Sequence, residues 1–370
     1  YIIPNHRHWK RLDSVQFLPP EQETPVRVIA VPKTLEKPRI IAIEPVCMQY
    51  AQQAVARALI SGVKEDKILR RMVGFSDQEV NQAYARLGSR DGSLATLDLS
   101  EASDRLSNSL VKTLFQGYTD LSEAVQACRS LTAEVPTQGK ITLVKYASMG
   151  SALTFPLEAI VFTTLVFMGI EEAEGHPMSR KRIERLSDRV RIFGDDIIVP
   201  VEYAESVMRS LEKFNFKVNA NKSFWTGRFR ESCGKDYWNG YDVSVVKIRT
   251  MLPSSRRDVR EIISTTSLRN QLFKLGLSRS VELLDQLLGK LLKHYPEVGE
   301  NSSLLGRLSY SPPSGEKLSK ATHTPVSRGW VVKSKLPVNE ADDLAALLKF
   351  FLKESRLPSA DEEHLTRSGR

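Results

Sequence analysis

A chain of 370 residues, 41% of them hydrophobic, can bury a large core and is expected to form two or three lobes. Lys and Arg outnumber Asp and Glu by 53 to 44, giving a formal net charge of +9. That balance suits a polyanionic partner, nucleic acid before membrane, although many proteins of other function are mildly basic.

The three cysteines (Cys47, Cys128 and Cys233) are widely spaced with no Cys-x-x-Cys pair, which argues against a disulfide framework or a zinc site and fits a reducing cytosol. The sequence opens on Tyr1, with no initiator Met and no signal-peptide pattern, and so reads as a fragment or processed piece. Residues 26–31 alternate in polarity and residues 40–43 are an apolar run, predicting two strands. The loop between them holds Lys33 and Lys37, with Arg39 just after Pro38. Basic residues on such a ribbon can grip phosphates, or simply guard a solvated edge. A helix is expected over 46–60, ending at Gly62. A second is expected in the polar stretch after Gly74.

Residues 93–100 (Ser-Leu-Ala-Thr-Leu-Asp-Leu-Ser) read as a short strand carrying Asp98 at its end. Leu106, Leu110 and Leu114 then mark one helix, stopped by Gly117, with Asp104 near its first turn. On their own these acids are equally a turn residue and a helix-dipole partner. Residues 136–146 suggest a short hairpin or an extended arm around Gly139. The small-residue loop Ser148-Met149-Gly150-Ser151 follows; such loops let backbone approach a sugar or phosphate, and as often are plain turns. Residues 152–170 approach the length of a membrane span, but Pro156 and Glu158 interrupt them, so a buried core helix is expected and no membrane span.

A basic stretch over 180–191 leads into Val190-Arg191-Ile192-Phe193-Gly194-Asp195-Asp196-Ile197-Ile198-Val199-Pro200. Two β-branched runs around Gly-Asp predict a tight hairpin with Gly194 at positive φ. Its tip would present two adjacent carboxylates, which repel one another and resist burial unless a cation compensates; hard oxygen ligands favour Mg²⁺ or Mn²⁺. The plainer alternative is an ordinary Gly-Asp turn with a second surface acid. A further amphipathic helix is marked by Val207, Leu211 and Phe214, followed by Lys222 and a basic, aromatic and glycine-rich stretch over 227–249. That stretch is either a surface hairpin with packed aromatics or a nucleic-acid contact. Helices are expected over 258–293 and 341–354, with a punctuated loop at 301–340 and a frayed tail.

Strand-end acids spread over about a hundred residues suit a two-metal site, in which ions roughly 3.5–4 Å apart activate an attacking hydroxyl and stabilise a leaving oxygen. The motifs that carry this pattern resemble those of the replicases of small positive-strand RNA bacteriophages, the levivirus group that includes phage Qβ, with narnaviruses as neighbours. VPKTLEKPRIIAIEP resembles the basic fingers motif, DLSEASDRLS the first palm motif, SMGSALTFPLE the second and FGDD the third. NANKSFWTGRFRESCG resembles the region behind them, and together the motifs span residues 26–249.

The resemblance implies an α+β right-hand polymerase fold with an antiparallel palm sheet, fingers and a helical thumb. It places fingers at 1–92, a palm at 93–249 with a fingers insertion near 117–147, and thumb and tail at 250–370. The family's longer N-terminal fingers region would lie outside this sequence. By the same resemblance, Asp98 and Asp195 are the principal ligands of two Mg²⁺ ions (Mn²⁺ being the alternative), with Asp196 a nearby or indirect one. Asp104 senses the ribose hydroxyl, helped by Gly150 and Ser151. Lys33 and Arg39 hold the triphosphate, and Lys222 protonates pyrophosphate.

Two positions depart from the wider pattern. Phe193 replaces the Tyr of many members, which implies a packing role, and Glu158 stands where many positive-strand polymerases have Asn, which shifts sugar discrimination onto Asp104. The implied function is template-directed RNA synthesis from nucleoside triphosphates. Its implied partners are template and product RNA and, by resemblance, host translation elongation factors and a ribosomal protein, in the cytoplasm of an infected bacterium. The rivals are a reverse transcriptase, against which Gly194 and Asp104 speak, and a non-catalytic RNA-binding descendant, from which these carboxylates should have been lost first.

Overall fold

A computed structural model of the chain describes residues 19, 22–32, 38–136, 138–311, 317–321, 323 and 325–333. Helices and short strands alternate in an α+β arrangement, and the chain divides into two units, Tyr1–Arg249 and Thr250–Arg370.

In the first unit, Val26–Pro32 (β1) and Pro38–Ile43 (β2) pair antiparallel, with Val28 opposite Ala42 and Val31 opposite Arg39. Lys33 and Lys37, between them, lie outside the described residues. Val46–Glu65 (α1) continues through Gly62, the expected stop. A lone glycine costs only about 1 kcal/mol in a helix, too little to end one. The chain turns at Asp66, whose carboxylate accepts the Ile68 and Leu69 amides at 2.8 and 2.9 Å to begin Leu69–Met72 (α2). Glu79–Asp91 (α3) ends at Gly92, which takes the left-handed conformation at φ 76°.

Leu94–Leu97 (β3) and Leu99–Ser100 (β4) flank Asp98. The single helix expected next is two, Ala102–Arg105 (α4) and Asn108–Phe115 (α5). Leu106 is extended, and the Ser107 hydroxyl accepts the Leu110 amide at 3.2 Å, so a cap interrupts the leucine periodicity. Thr119–Ala127 (α6) leads to Thr132–Val135 (β5) and Gly139–Thr142 (β6). The hairpin expected at 136–146 therefore begins at Thr132. Its first strand pairs parallel to β1, giving a sheet of order β2-β1-β5-β6.

Thr154–Glu174 (α7) is the centre of the core, with Leu157, Phe162, Val166 and Ile170 fully buried. It is the one helix among the described residues long and apolar enough to cross a membrane, yet 72% of its most apolar window is covered by the protein. Arg180–Leu186 (α8) precedes the hairpin of Arg191–Phe193 (β7) and Asp196–Pro200 (β8). Ala204–Lys213 (α9) packs along α7, and Lys217–Val218 (β9) pairs with β4. Phe229–Ser232 (β10), Lys235–Trp238 (β11) and Tyr241–Asp242 (β12) form a three-stranded sheet.

The second unit is built on Val259–Lys274 (α10) and Ser278–Leu292 (α11), with a core of Ile262, Leu288, Leu292 and Tyr295. The buried Arg269 guanidinium makes paired 2.8 Å bonds to Asp285 across the helices. Short strands follow: Glu297–Val298 (β13), Leu304–Leu305 (β14), Arg307–Leu308 (β15), Lys317–Leu318 (β16), Pro325–Val326 (β17) and Trp330–Val331 (β18). The helix expected at 341–354 lies outside the described residues.

The α7–α9 contact closes on Gly169, where an added Cβ would stand 2.7 Å from the Val207 Cα and 2.9 Å from the Ser206 carbonyl. Both obstacles are backbone, so the helices would have to part. Gly169→Ala is expected to destabilise the fold by about 1–3 kcal/mol. Denaturant unfolding measures this, and parental stability would contradict such close helix contact.

Candidate active site

The β3-β8-β7 sheet sets the acids in place. Its register pairs Leu97 with Ile197, so one step further Asp98 stands opposite Asp196. Phe193 pairs with Asp196 across the hairpin, leaving Gly194 and Asp195 as a two-residue turn. Gly194 has φ 61° and Asp195 is not among the residues at positive φ, the pattern of a type II′ turn. Glycine is required for a second reason: a Cβ there would lie 2.5 Å from the Phe155 ring. Phe155, on the first turn of α7, also meets Phe193 edge-on at 5.2 Å.

Asp98 is held on both sides of its backbone and at its carboxylate. Its amide donates to the Ser223 hydroxyl at 3.1 Å, its carbonyl accepts the Asn219 amide at 2.9 Å, and its Oδ2 accepts the Asn219 side chain at 2.9 Å. Asp196 Oδ1 accepts the Ser232 hydroxyl at 3.2 Å and the Cys233 amide at 3.1 Å. Asp195 is exposed at the tip.

Negative charge accumulates here. Burial pushes the Asp196 carboxyl above its ordinary range, and the charges of Asp195 and Asp98 push the same way against the two hydrogen bonds. Burial raises Glu231 on β10 as well; Lys222 opposes, while Asp196 and Asp98 add to the rise. Glu158, one turn along α7 from Phe155, is only 4% exposed and pushed up to about 8, first by burial and then by Asp195 and Asp104. Its hydroxyl partner is Ser103, and its Oε1 is buried without a hydrogen bond.

The structure thus brings Asp98, Asp195 and Asp196 together. Asp104 and Lys222 come near enough to act electrostatically on Glu158 and Glu231 respectively. Asp104 is exposed and ion-paired with Lys145, while Lys222 is exposed behind β9. Gly150, at φ 128°, lies so close to β2 that a Cβ would meet the Ala42 carbonyl at 2.1 Å. Ser151 donates to Gln52 rather than pointing a proton at Asp104. Arg39 is exposed on β2, in a different sheet from the acids, and Lys33 lies outside the described residues.

Asn219, Glu231, Lys145 and Gln52 escaped sequence reasoning. Of these, Asn219 and Glu231 carried a signal, their places in the NANKSFWTGRFRESCG run.

The donor set is all oxygen and carries more negative charge than the neighbouring Lys222 offsets, which fits a hard divalent cation. Among the described residues no three His, Cys, Asp or Glu side chains form a ready cage. Magnesium sites of this kind use one or two carboxylates and complete the shell with water and substrate phosphates.

The family described as RNA replicase, beta-chain matches residues 21–264. The chain is 36% identical over 233 residues to the RNA-directed RNA polymerase subunit beta of Qbeta virus (strain MX1), covering 62% of this chain and 36% of that one. It is 35% identical over 223 residues to the RNA-directed RNA polymerase beta chain of Enterobacteria phage fr, covering 60% and 37%. The chain therefore spans little more than a third of the length of these curated relatives. Among solved structures, one described as RNA-dependent RNA polymerase, vp4, dsRNA superposes with a TM-score of 0.54 at 11% identity, covering 82% of this chain and 31% of that one. Another, described as an RdRp complex, gives 0.51 at 11% identity, covering 81% and 28%. These structural likenesses bear on the fold alone.

The Glu158 shift has a stability consequence. Its folded value, about 8, lies above its ordinary 4.5, so the protonated acid's contribution is complete below about 4.5 and is lost as pH rises through about 8. In chelator-treated protein, the parent should lose up to roughly 5 kcal/mol relative to Glu158→Gln between about pH 5 and 9. Denaturant titration of both proteins across that range measures it, and a difference independent of pH would refute the burial assigned to this carboxyl.

Proposed function

The chain belongs to the RNA replicase β-chain family, and we propose that it carries the polymerase centre of such a replicase, adding nucleoside monophosphates to an RNA 3′ end under the direction of an RNA template. The observation that carries this reading is the register that sets Asp98 opposite Asp196 beside the Gly194-Asp195 turn. In the reaction, the 3′ hydroxyl forms a bond to the α-phosphate and pyrophosphate leaves. Mg²⁺ ions held by Asp98 and Asp195, with Asp196 behind them, would supply charge stabilisation for the attacking and leaving oxygens.

In this reading the protein's own work is positioning, which with electrostatics accounts for most of the rate in phosphoryl transfer. Asn219 and Ser223 fix the Asp98 backbone and carboxylate, while Ser232 and the Cys233 amide hold Asp196. Lys33 and Arg39 receive the triphosphate. Asp104 stands at the sugar side with Gly150 and Ser151, and a nucleotide entering there competes with Lys145 for Asp104. Lys222 donates a proton toward departing pyrophosphate. The first unit contains fingers and palm, and the second is the thumb. Template RNA, product RNA and nucleoside triphosphates are the ligands; host translation elongation factors and a ribosomal protein complete the assembly in the cytoplasm of an infected bacterium.

Two experiments test the reading. Asp195→Asn keeps the side chain's size and removes its charge. Primer extension should fall at least about a hundredfold, with template binding changed only a few-fold. Near-parental incorporation would remove Asp195 from the site, and RNA binding without incorporation by the parent would favour a non-catalytic RNA-binding protein. Template affinity should also fall steeply between about 50 and 200 mM salt through counterion release, and a flat profile would contradict a phosphate-tracking channel.

A further inference from the structure

Gln52 on α1 is 1% exposed and joins three separate parts of the first unit. Its Nε2 donates to the Cys128 carbonyl at 2.9 Å, and its Oε1 accepts the Ala152 amide at 3.1 Å and the Ser151 hydroxyl at 3.0 Å. It also bonds Glu44, whose carboxylate accepts the Ser130 hydroxyl at 2.5 Å. Two of these partners admit only one amide orientation. A backbone carbonyl requires the NH₂ end, and a backbone N–H requires the oxygen end. Gln52 Oε1 therefore faces Ser151, and since an amide oxygen only accepts, the Ser151 proton must point at Gln52.

A serine hydroxyl has one proton and two lone pairs. The proton is committed to Gln52, and one lone pair receives the Leu153 amide at 3.3 Å. What remains is a single lone pair. The loop around it is fixed as well: Met149 O accepts the Ala42 amide at 2.8 Å, Ser148 O accepts the Thr154 hydroxyl at 3.0 Å, and Gly150 is packed on Ala42 O.

We propose that Gln52 is a positioning residue that makes the Ser151 hydroxyl an acceptor only, so that the Ser148–Ser151 loop selects a nucleotide whose sugar 2′ group can donate a hydrogen bond. This rests on the reading above that the loop faces the sugar, and it adds the polarity of the recognition. A 2′ hydroxyl or amine satisfies the lone pair. A 2′ fluorine, similar in size but without a proton, meets it lone pair to lone pair, and hydrogen offers nothing.

The test is single-nucleotide incorporation by the full chain with a ribonucleotide and its 2′-amino, 2′-fluoro and 2′-deoxy analogues. For the parent, kcat/KM for the 2′-amino analogue should stay within about tenfold of the ribonucleotide, while 2′-fluoro and 2′-deoxy fall together by about a hundredfold or more. In Gln52→Met the hydroxyl can turn its proton outward, and 2′-fluoro should gain about tenfold over 2′-deoxy. Parental use of 2′-fluoro equal to the ribonucleotide, or a fluoro-to-deoxy ratio unchanged in Gln52→Met, overturns the proposal.

Should Gln52→Met melt too early to assay, Ser151→Ala decides. Loss of the preference for 2′ donors supports the assignment, and its persistence overturns it. If the parent incorporates nothing, the polymerase reading fails by itself, and thermal shifts with the same four nucleotides still report on Gln52. Larger shifts with ribo and 2′-amino than with 2′-fluoro and 2′-deoxy support it, and four equal shifts refute it.

Discussion

Mutual repulsion of carboxylates at one hairpin tip is the constraint to which the first unit is built. Asp195 and Asp196 are adjacent, Asp98 stands across the sheet, and Glu158 and Glu231 feel the same charges. At an effective dielectric constant near 20, two unit charges 4 Å apart repel by about 4 kcal/mol, so the cluster opposes folding unless the scaffold outweighs it. Apolar burial does so. Each fully buried large apolar side chain contributes roughly 1.5–3 kcal/mol, and α7 alone buries Leu157, Phe162, Leu165, Val166 and Ile170. The helix that supplies this stabilisation also lays Phe155 on the Gly194 turn.

Buried arginines give a second kind of support. Arg230 is 1% exposed, and its guanidinium gathers the carbonyls of Leu94, Thr226, Gly227 and Phe229. That pins the start of β3, and so the register that delivers Asp98. Arg129 similarly collects the carbonyls of Leu143, Lys145 and Tyr146, fixing the segment from which Lys145 reaches Asp104. A buried charge needs its full complement of partners, and several aligned carbonyls supply it without bringing another acid into a region already rich in them.

What was legible in the sequence is what local chemistry dictates. A two-residue turn between β-branched runs needs Gly194, and the alternation over residues 26–31 reports a half-buried ribbon. Where long-range partners decide, sequence reasoning failed. The leucine spacing through Leu106 hid a cap at Ser107, because periodicity does not register a hydroxyl that interrupts it. The local hairpin of β5 and β6 was legible around Gly139, but the parallel pairing of β5 with β1 was not, because β1 lies about a hundred residues earlier. Asp104 and Ser151 were read as cooperating, yet each is already engaged, by Lys145 and Gln52. Gln52 itself looked like one more polar residue on an amphipathic helix; only the packed loop reveals that its amide is fully employed.

The same contrast explains Glu158. On an apolar helix a carboxylate argued against a membrane span, and that inference concerned only its cost. The structure gives it a place: one turn beyond Phe155, against Ser103, with Asp104 and Asp195 acting on it. Phe193 fits the same logic, since its ring packs edge-on against Phe155 and a bare aromatic suffices for that contact. α7 therefore has two jobs along its length. Its first turns form a wall of the acidic site, and the remainder fills the core, so the residues that look out of place in an apolar segment are those nearest the chemistry.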